Sequence, residues 1–94
     1  MFEIKVGEGG VVYLSGRLDA SQVDKAESVL GDLDGSVVAD FSELDYISSA
    51  GIGILMKAYK RLHDSGGTIR LVNMTPRVKN VFHYAGLDRI FTIE

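Results

Sequence analysis

Two adjacent serines, Ser48 and Ser49, precede a run of small residues, Ala50-Gly51-Ile52-Gly53. A serine hydroxyl in such a setting has two chemistries open to it, attack on a carbonyl or acceptance of a phosphoryl group. Attack needs a base and an orienting acid within hydrogen-bond reach. His63 and His83, with Asp19 and Asp40, supply the residue types, but their spacing does not suit a triad. His63 falls at the far end of the helix that Ser49 opens, roughly 20 Å away at about 1.5 Å per residue. His83 sits inside another helical run between Phe82 and Tyr84, and no G-x-S-x-G turn is present. Gly51-Ile52-Gly53 is followed by Met56 where a dinucleotide fingerprint needs glycine, and no P-loop lysine follows. With no cysteine and two distant histidines there is no metal-ligand set either. The expectation is a protein that is not an enzyme and carries no cofactor.

Phosphoryl acceptance fits better. A serine pair at a loop-to-helix junction lies where backbone N–H groups lack internal partners and the helix dipole is positive. A phosphate placed there is favoured, and a charge of about −1.5 to −2 in an interface repels acidic partner groups. Ala50, Gly51 and Gly53 are small enough to let a partner's active site come close. The plainer reading is that a serine before an apolar helical run is an N-cap, and spacing alone favours it. The two readings are compatible, with Ser48 capping and Ser49 modified. In the inferred fold Asp19 and Asp40 lie near these serines and would add to that repulsion, although each has a plain reading as well, Asp19 as a cap or turn residue and Asp40 as an acceptor for loop N–H groups.

The elements that must position these residues follow from periodicity. Phe2, Ile4 and Val6 alternate with Glu3 and Lys5, a half-buried strand. Gly7-Glu8-Gly9-Gly10 reads as a hairpin turn, and Val11–Leu14 as the return strand, ended by Gly16. Ser21 and Asp24 resemble a capping box for a first helix with its apolar stripe at Val23, Ala26, Leu30 and Leu33, stopping near Gly35. Val37–Ala39 reads as a central strand ending in Asp40, and Ser42–Asp45 as a loop. Tyr46 and Ile47 read as a staple before the second helix. That helix runs from Ser48-Ser49 to about Asp64, with Ile52, Leu55, Met56, Tyr59 and Leu62 inward and Lys57, Lys60 and Arg61 on a solvated face. Thr68–Val72 is the next strand. Thr75-Pro76 starts a third helix that buries Val78, Val81, Phe82 and Ala85, and Gly86 stops it. Ile90, Phe91 and Ile93 form a last strand. The predicted order is β-β-α-β-α-β-α-β: an α/β fold with a mixed sheet of four to five strands, an N-terminal antiparallel hairpin and amphipathic helices packed on it.

The chain of 94 residues suits one domain. Its apolar fraction of 46% is that of a globular protein, which argues against disorder. A net charge of −3, with basic residues scattered, gives no nucleic-acid footprint. No stretch approaches about 20 apolar residues, so no membrane insertion is expected. The absence of cysteine and of a basic, apolar leader points to a cytoplasmic protein.

The segment Asp40-Phe41-Ser42-Glu43-Leu44-Asp45-Tyr46-Ile47-Ser48-Ser49-Ala50-Gly51-Ile52-Gly53 resembles the signature of STAS domains. In these a strand ends in a D-(L/F)-S-like triplet, and a D-S-(S/A/T)-G-(L/I)-G segment then opens a helix. Gly16-Arg17-Leu18-Asp19 is similar to the family's G-x-(L/I)-D, and Leu87-Asp88-Arg89-Ile90-Phe91 to its ending. The likeness covers nearly the whole chain and is closest to the anti-sigma factor antagonists. It implies that Ser49 is the phosphorylated position and that Asp19 lies near it. It implies a partner that is an anti-sigma factor with a histidine-kinase-like ATPase fold acting as a serine kinase, and admits a phosphatase as a second. The family's usual aspartate before the modified serine is Ser48 here. Other STAS proteins are adaptor subunits of lipid-transport ABC complexes or signalling scaffolds, which the resemblance also allows.

Overall fold

The computed structural model describes residues 1–94. Strands β1 (Phe2–Val6), β2 (Val11–Leu18), β3 (Ser36–Ile47), β4 (Thr68–Val72) and β5 (Thr92–Ile93) form one sheet in that spatial order. The first pair is antiparallel and every later pair is parallel. Helices α1 (Val23–Leu30), α2 (Ser49–Asp64) and α3 (Pro76–Tyr84) are the crossovers. The mixed α/β sheet and the element order match the reading from periodicity.

The hairpin closes through Gly7 N–H donating to Val11 C=O at 2.7 Å. Gly9 and Gly10 supply the positive φ angles, 70° and 79°, that the reversal needs. Along the sheet Phe2, Ile4, Val12, Leu14, Val37, Ala39, Ile69 and Leu71 are buried under the helices. The alternate residues Lys5, Tyr13, Arg70 and Thr92 are exposed. Phe82 of α3 packs edge-on against Phe41 and Phe91, closing the core beyond the end of β4.

Several boundaries differ from the sequence reading. Gly16 does not end β2. It sits inside it at φ 85°, between two register shifts against β3, and a side chain there would strike Met1 C=O. Ser42–Asp45 is not a loop. β3 runs unbroken through it, because the irregular register lets Glu43, Leu44 and Tyr46 pair with Ser15, Gly16 and Arg17. α1 begins at Val23, behind a 3-10 turn over Ala20–Gln22, and its last helical residue is Leu30, short of Leu33. The buried face of α2 is Gly51, Ile54, Leu55, Ala58 and Leu62, rotated from the predicted stripe, with Ile52, Met56 and Tyr59 half-buried. Ala85 is exposed, and Ile90 lies outside β5 and is exposed too.

Candidate functional site

The site is built where β2 and β3 end side by side. Leu18 pairs with Ile47, the last residues of the two strands. The next link is the Ser48 N–H, which donates to Leu18 C=O at 2.9 Å. That bond places Asp19, leaving β2, beside Ser48 and Ser49, leaving β3. Both chains then turn into helices. The 3-10 turn that follows Asp19 packs against α2. Glu27 pairs with Lys57 and Leu30 with Arg61, so α1 and α2 run parallel and their N-termini share one end of the molecule.

Ser48 is the N-cap of α2. Its backbone is extended, and its Oγ accepts from Gly51 N–H at 3.2 Å. Its carbonyl accepts from Ile52 N–H at 2.9 Å. The hydroxyl is thus in structural use and the residue is half-buried. Ser49 is the first residue of the helix and is exposed, as is Ala50. The N–H groups of Ser49 and Ala50 have no partner within the chain, as expected for the start of a helix.

Gly51 and Gly53 do different things. A Cβ on Gly51 would sit 2.8 Å from Leu18 Cγ and 2.9 Å from Ile47 Cγ1. Gly51 is therefore what allows α2 to start tight against the ends of the two strands. Gly53 has nothing within 4 Å of its Cβ position and is exposed. It contributes bare surface.

Asp19 carries the capping role that Ser21 and Asp24 suggested. Its Oδ1 accepts from Ser21 N–H at 3.0 Å and from Ser21 Oγ at 2.6 Å. The Ser21 hydroxyl bond, with help from the backbone bond and Arg17, holds its carboxyl below the usual aspartate range. A carboxylate therefore stands at this corner at neutral pH.

Asp40 does not belong to the site. It pairs across β3 with Tyr13 and Val72, five residues before β2 reaches Leu18. At about 3.3 Å per residue along β3 it lies on the order of 20 Å from Ser49. Its Oδ1 accepts from Ser42 N–H and its Oδ2 from the Asn73 amide. Burial opposes its ionisation, but the bonds from Ser42 and Asn73 outweigh burial and leave its pKa lowered. The acceptor reading of Asp40 stands; its partners are Ser42 and Asn73, and the second has a left-handed backbone at φ 59°.

Two features of this end have little trace in the sequence. Leu18 C=O fixes the junction through Ser48 N–H, and only the strand register reveals it. The Arg17 guanidinium lies 4.3 Å from the centroid of the Tyr46 ring, bracing the last strand residues from outside. Tyr46 is therefore half-buried against Arg17, while Ile47 is buried under Gly51. His63 stacks on Tyr59 one turn back in α2, and His83 pairs with Asp88 at 2.8 Å. Neither faces Ser49, so the structure assembles no triad.

The family model described as Mlab, STAS domain matches residues 2–93. The chain belongs to the STAS domain family, whose members are binding and regulatory domains and not enzymes. Among curated relatives, BtrV of Bordetella bronchiseptica, named as an anti-sigma factor antagonist, is 38% identical over 74 residues, 79% of this chain. The match spans only 58% of BtrV. A solved anti-sigma factor antagonist from Mycobacterium paratuberculosis has a TM-score of 0.81 at 25% identity, over 99% of this chain and 83% of that one. The unphosphorylated form of the anti-sigma factor antagonist SpoIIAA shares the fold, with a TM-score of 0.75 at 22% identity over 100% of this chain and 88% of that one. No helix is long and apolar enough to cross a membrane.

Proposed function

We propose that this STAS domain is an anti-sigma factor antagonist that binds an anti-sigma factor of histidine-kinase-like ATPase fold, releasing a sigma factor, and that phosphorylation of Ser49 turns the binding off. The observation that carries this reading is the division of labour between the two serines. Ser48 Oγ is committed to the cap, whereas Ser49 stands exposed at the first helical position among small neighbours. A kinase active site reaches Ser49 without disturbing the helix start.

The same geometry supplies the off-state. A phosphate on Ser49 meets the unpartnered N–H groups of Ser49 and Ala50 and the positive end of a 16-residue helix. The added charge is stabilised in place, and the fold has no reason to change. The ionised Asp19 adds to it, so an acidic partner surface is repelled. Names of relatives support the general role, and BtrV in particular is named for it.

The test uses the purified histidine-kinase-like proteins of the source organism, each incubated with ATP and the domain. One of them is expected to phosphorylate wild type and not Ser49→Ala. Ser49→Ala keeps partner binding, and Ser49→Asp weakens it at least tenfold, about 1.4 kcal/mol. Wild-type affinity in Ser49→Asp would sink the switch.

A second reading follows from Ser48 standing where the family usually has aspartate: a constitutive adaptor of an ABC lipid-transport complex, or a signalling scaffold, docking through the start of α2 without a phosphate. Intact-mass measurement on protein from resting and stressed native cells separates the two. A phosphorylated fraction that disappears in Ser49→Ala favours the antagonist, and an unmodified protein under both conditions favours the adaptor.

A further inference from the structure

We propose that Lys25 is a strap over the open edge of the sheet: it takes the two groups through which β1 would pair with β1 of a second copy of this domain, and so keeps two sheets from joining into one. A sheet edge presents unpaired N–H and C=O groups to any strand that can line up with them. At the far edge β5 has only two residues, Thr92 and Ile93, and so short a strand is a poor template. The β1 edge is five residues long.

The direction of its free groups follows from the hairpin. Arg17 N–H donates to Met1 C=O and Gly7 N–H to Val11 C=O, so by alternation Glu3 and Lys5 exchange hydrogen bonds with Ser15 and Tyr13. Phe2, Ile4 and Val6 therefore point their N–H and C=O groups away from the sheet. The side chains of Glu3 and Lys5 project on the face opposite Phe2 and Ile4. Val6 is 58% exposed, so the edge ends in bare apolar surface.

This edge is self-complementary in one register. Two copies related by a two-fold axis present the same strand to each other, antiparallel. With the axis at Ile4, Ile4 meets Ile4 and Phe2 meets Val6 of the second copy, each through outward-facing backbone groups. Glu3 then stands directly opposite Lys5 of the second copy, close enough for the side chains to touch. Moving the axis to Glu3 or Lys5 keeps the backbone bonds but sets Glu3 against Glu3 or Lys5 against Lys5. Like charges directly opposite destabilise a strand pair.

Lys25 already occupies what that register uses. From the first turn of α1 its Nζ donates to Phe2 C=O at 2.9 Å and lies 3.5 Å from Glu3 Oε1. In the paired register those two groups receive the Val6 N–H and the Lys5 ammonium of the second copy. One side chain thus makes both of the interactions that the second copy would make. Because α1 tethers Lys25 beside the edge, its local concentration exceeds that of a second copy in dilute solution, and the domain stays single. Removing Lys25 frees both groups at once, and the two-fold axis repeats the effect at the other end of the paired strands.

The experiment is sedimentation velocity over a concentration series on wild type, Lys25→Met and the double variant Lys25→Met/Lys5→Glu, with amide hydrogen exchange read at Ile4 and Val6. Methionine keeps an apolar stem and lacks the donor and the charge, and Lys25 is half exposed, so the variant keeps the fold. The expected result is that Lys25→Met dimerises with a dissociation constant roughly tenfold or more below that of wild type. Exchange at Ile4 and Val6 slows in that dimer. Adding Lys5→Glu sets carboxylates opposite each other and returns the protein to monomer. Lys25→Met associating no more tightly than wild type overturns the strap. A dimer that survives Lys5→Glu, or whose Ile4 and Val6 amides exchange as fast as in wild type, forms on another surface and overturns it as well.

Discussion

The two halves of α2 are built for opposite ends. Its first turns leave Ser49, Ala50 and Gly53 bare on the outside, while the cap, the close approach of Gly51 to Leu18 and Ile47, and the buried Ile54 and Leu55 hold the helix in place. Its last turns carry Lys57, Tyr59, Lys60 and Arg61, and they are tied sideways to α1. Lys57 meets Glu27 at 2.7 Å, and Arg61 donates to the Leu30 carbonyl at the end of α1 and to the Leu33 carbonyl just beyond it. The second half supplies rigidity, which frees the first half to stay bare. On the proposed reading, a surface that a partner's active site reaches cannot also be covered by the side chains that hold it.

That contrast is sharpest at the two glycines, and breaking it there gives the largest effect. Gly51→Val drives new atoms into Leu18 and Ile47, and overpacking of this kind costs about 2–3 kcal/mol. It also pries Ser48 N–H from Leu18 C=O, so the start of α2 lifts. Gly53→Ala meets nothing and removes a helix-interior glycine, so it stabilises by about 0.5–1 kcal/mol. Urea unfolding of the two variants checks both signs. Equal effects would mean that the two glycines are not doing different jobs.

The stapled half is tested by Arg61→Ala against Lys57→Ala. Removing Arg61 leaves the Leu33 carbonyl without its donor and the Leu30 carbonyl with only the Leu33 N–H, a loss of about 1–2 kcal/mol. Removing Lys57 breaks an exposed ion pair and costs under about 0.5 kcal/mol. Chemical denaturation measures the difference, and matched losses would reduce Arg61 to an ordinary surface charge. At the bare end, Ser48→Ala loses the cap and about 1 kcal/mol, while Ser49→Ala leaves stability within about 0.3 kcal/mol of wild type. A comparable loss from Ser49→Ala would show that its hydroxyl is structural.

How much of this was legible in the sequence divides along physical lines. The start of α2 at Ser48-Ser49, the Thr75-Pro76 start of α3 and the Gly86 stop are local signals, and each appears where its chemistry requires. Gly86 has φ 74°, and Thr75 Oγ1 accepts from Val78 N–H. The second half of β3 was not legible. Its buried residues Phe41, Leu44 and Ile47 recur every third position, because the shifted register breaks the two-residue alternation that marks a strand. A strand that loses its period looks like a loop when Ser42, Glu43 and Asp45 stand between its apolar residues. The same misreading placed Asp40 near Ser49, since a short strand followed by a loop would have folded back. Arg61 was unreadable for a different reason. Its guanidinium bonds backbone carbonyls of another helix, and no pattern of side-chain types records that.

The smallest expected effect distinguishes the two acidic groups that the sequence placed together. Asp19 and Asp40 both have folded-state pKa values below their ordinary ones, Asp19 chiefly through the Ser21 hydroxyl and Asp40 through Ser42 and Asn73 acting against burial. A carboxyl with a depressed folded pKa adds stability above its unfolded value, about 3.9 for aspartate, and loses it as pH falls through the folded value. Stability should therefore hold level above about pH 5 and decline below about pH 4. Asp19→Asn keeps an oxygen for Ser21 N–H and removes the charge, so its decline is shallower than wild type, as is that of Asp40→Asn. Under the proposed phosphorylation of Ser49 the two differ. Asp19→Asn weakens the repulsion that phosphorylated Ser49 presents, so the phosphorylated variant retains more partner binding than phosphorylated wild type. Asp40→Asn, on the order of 20 Å from Ser49 by strand rise, leaves that binding unchanged. Measured pH profiles and affinities of the two phosphorylated variants decide it. Equal behaviour at the switch would put the negative field at Ser49 down to the phosphate alone, with Asp19 reduced to the cap of its own turn.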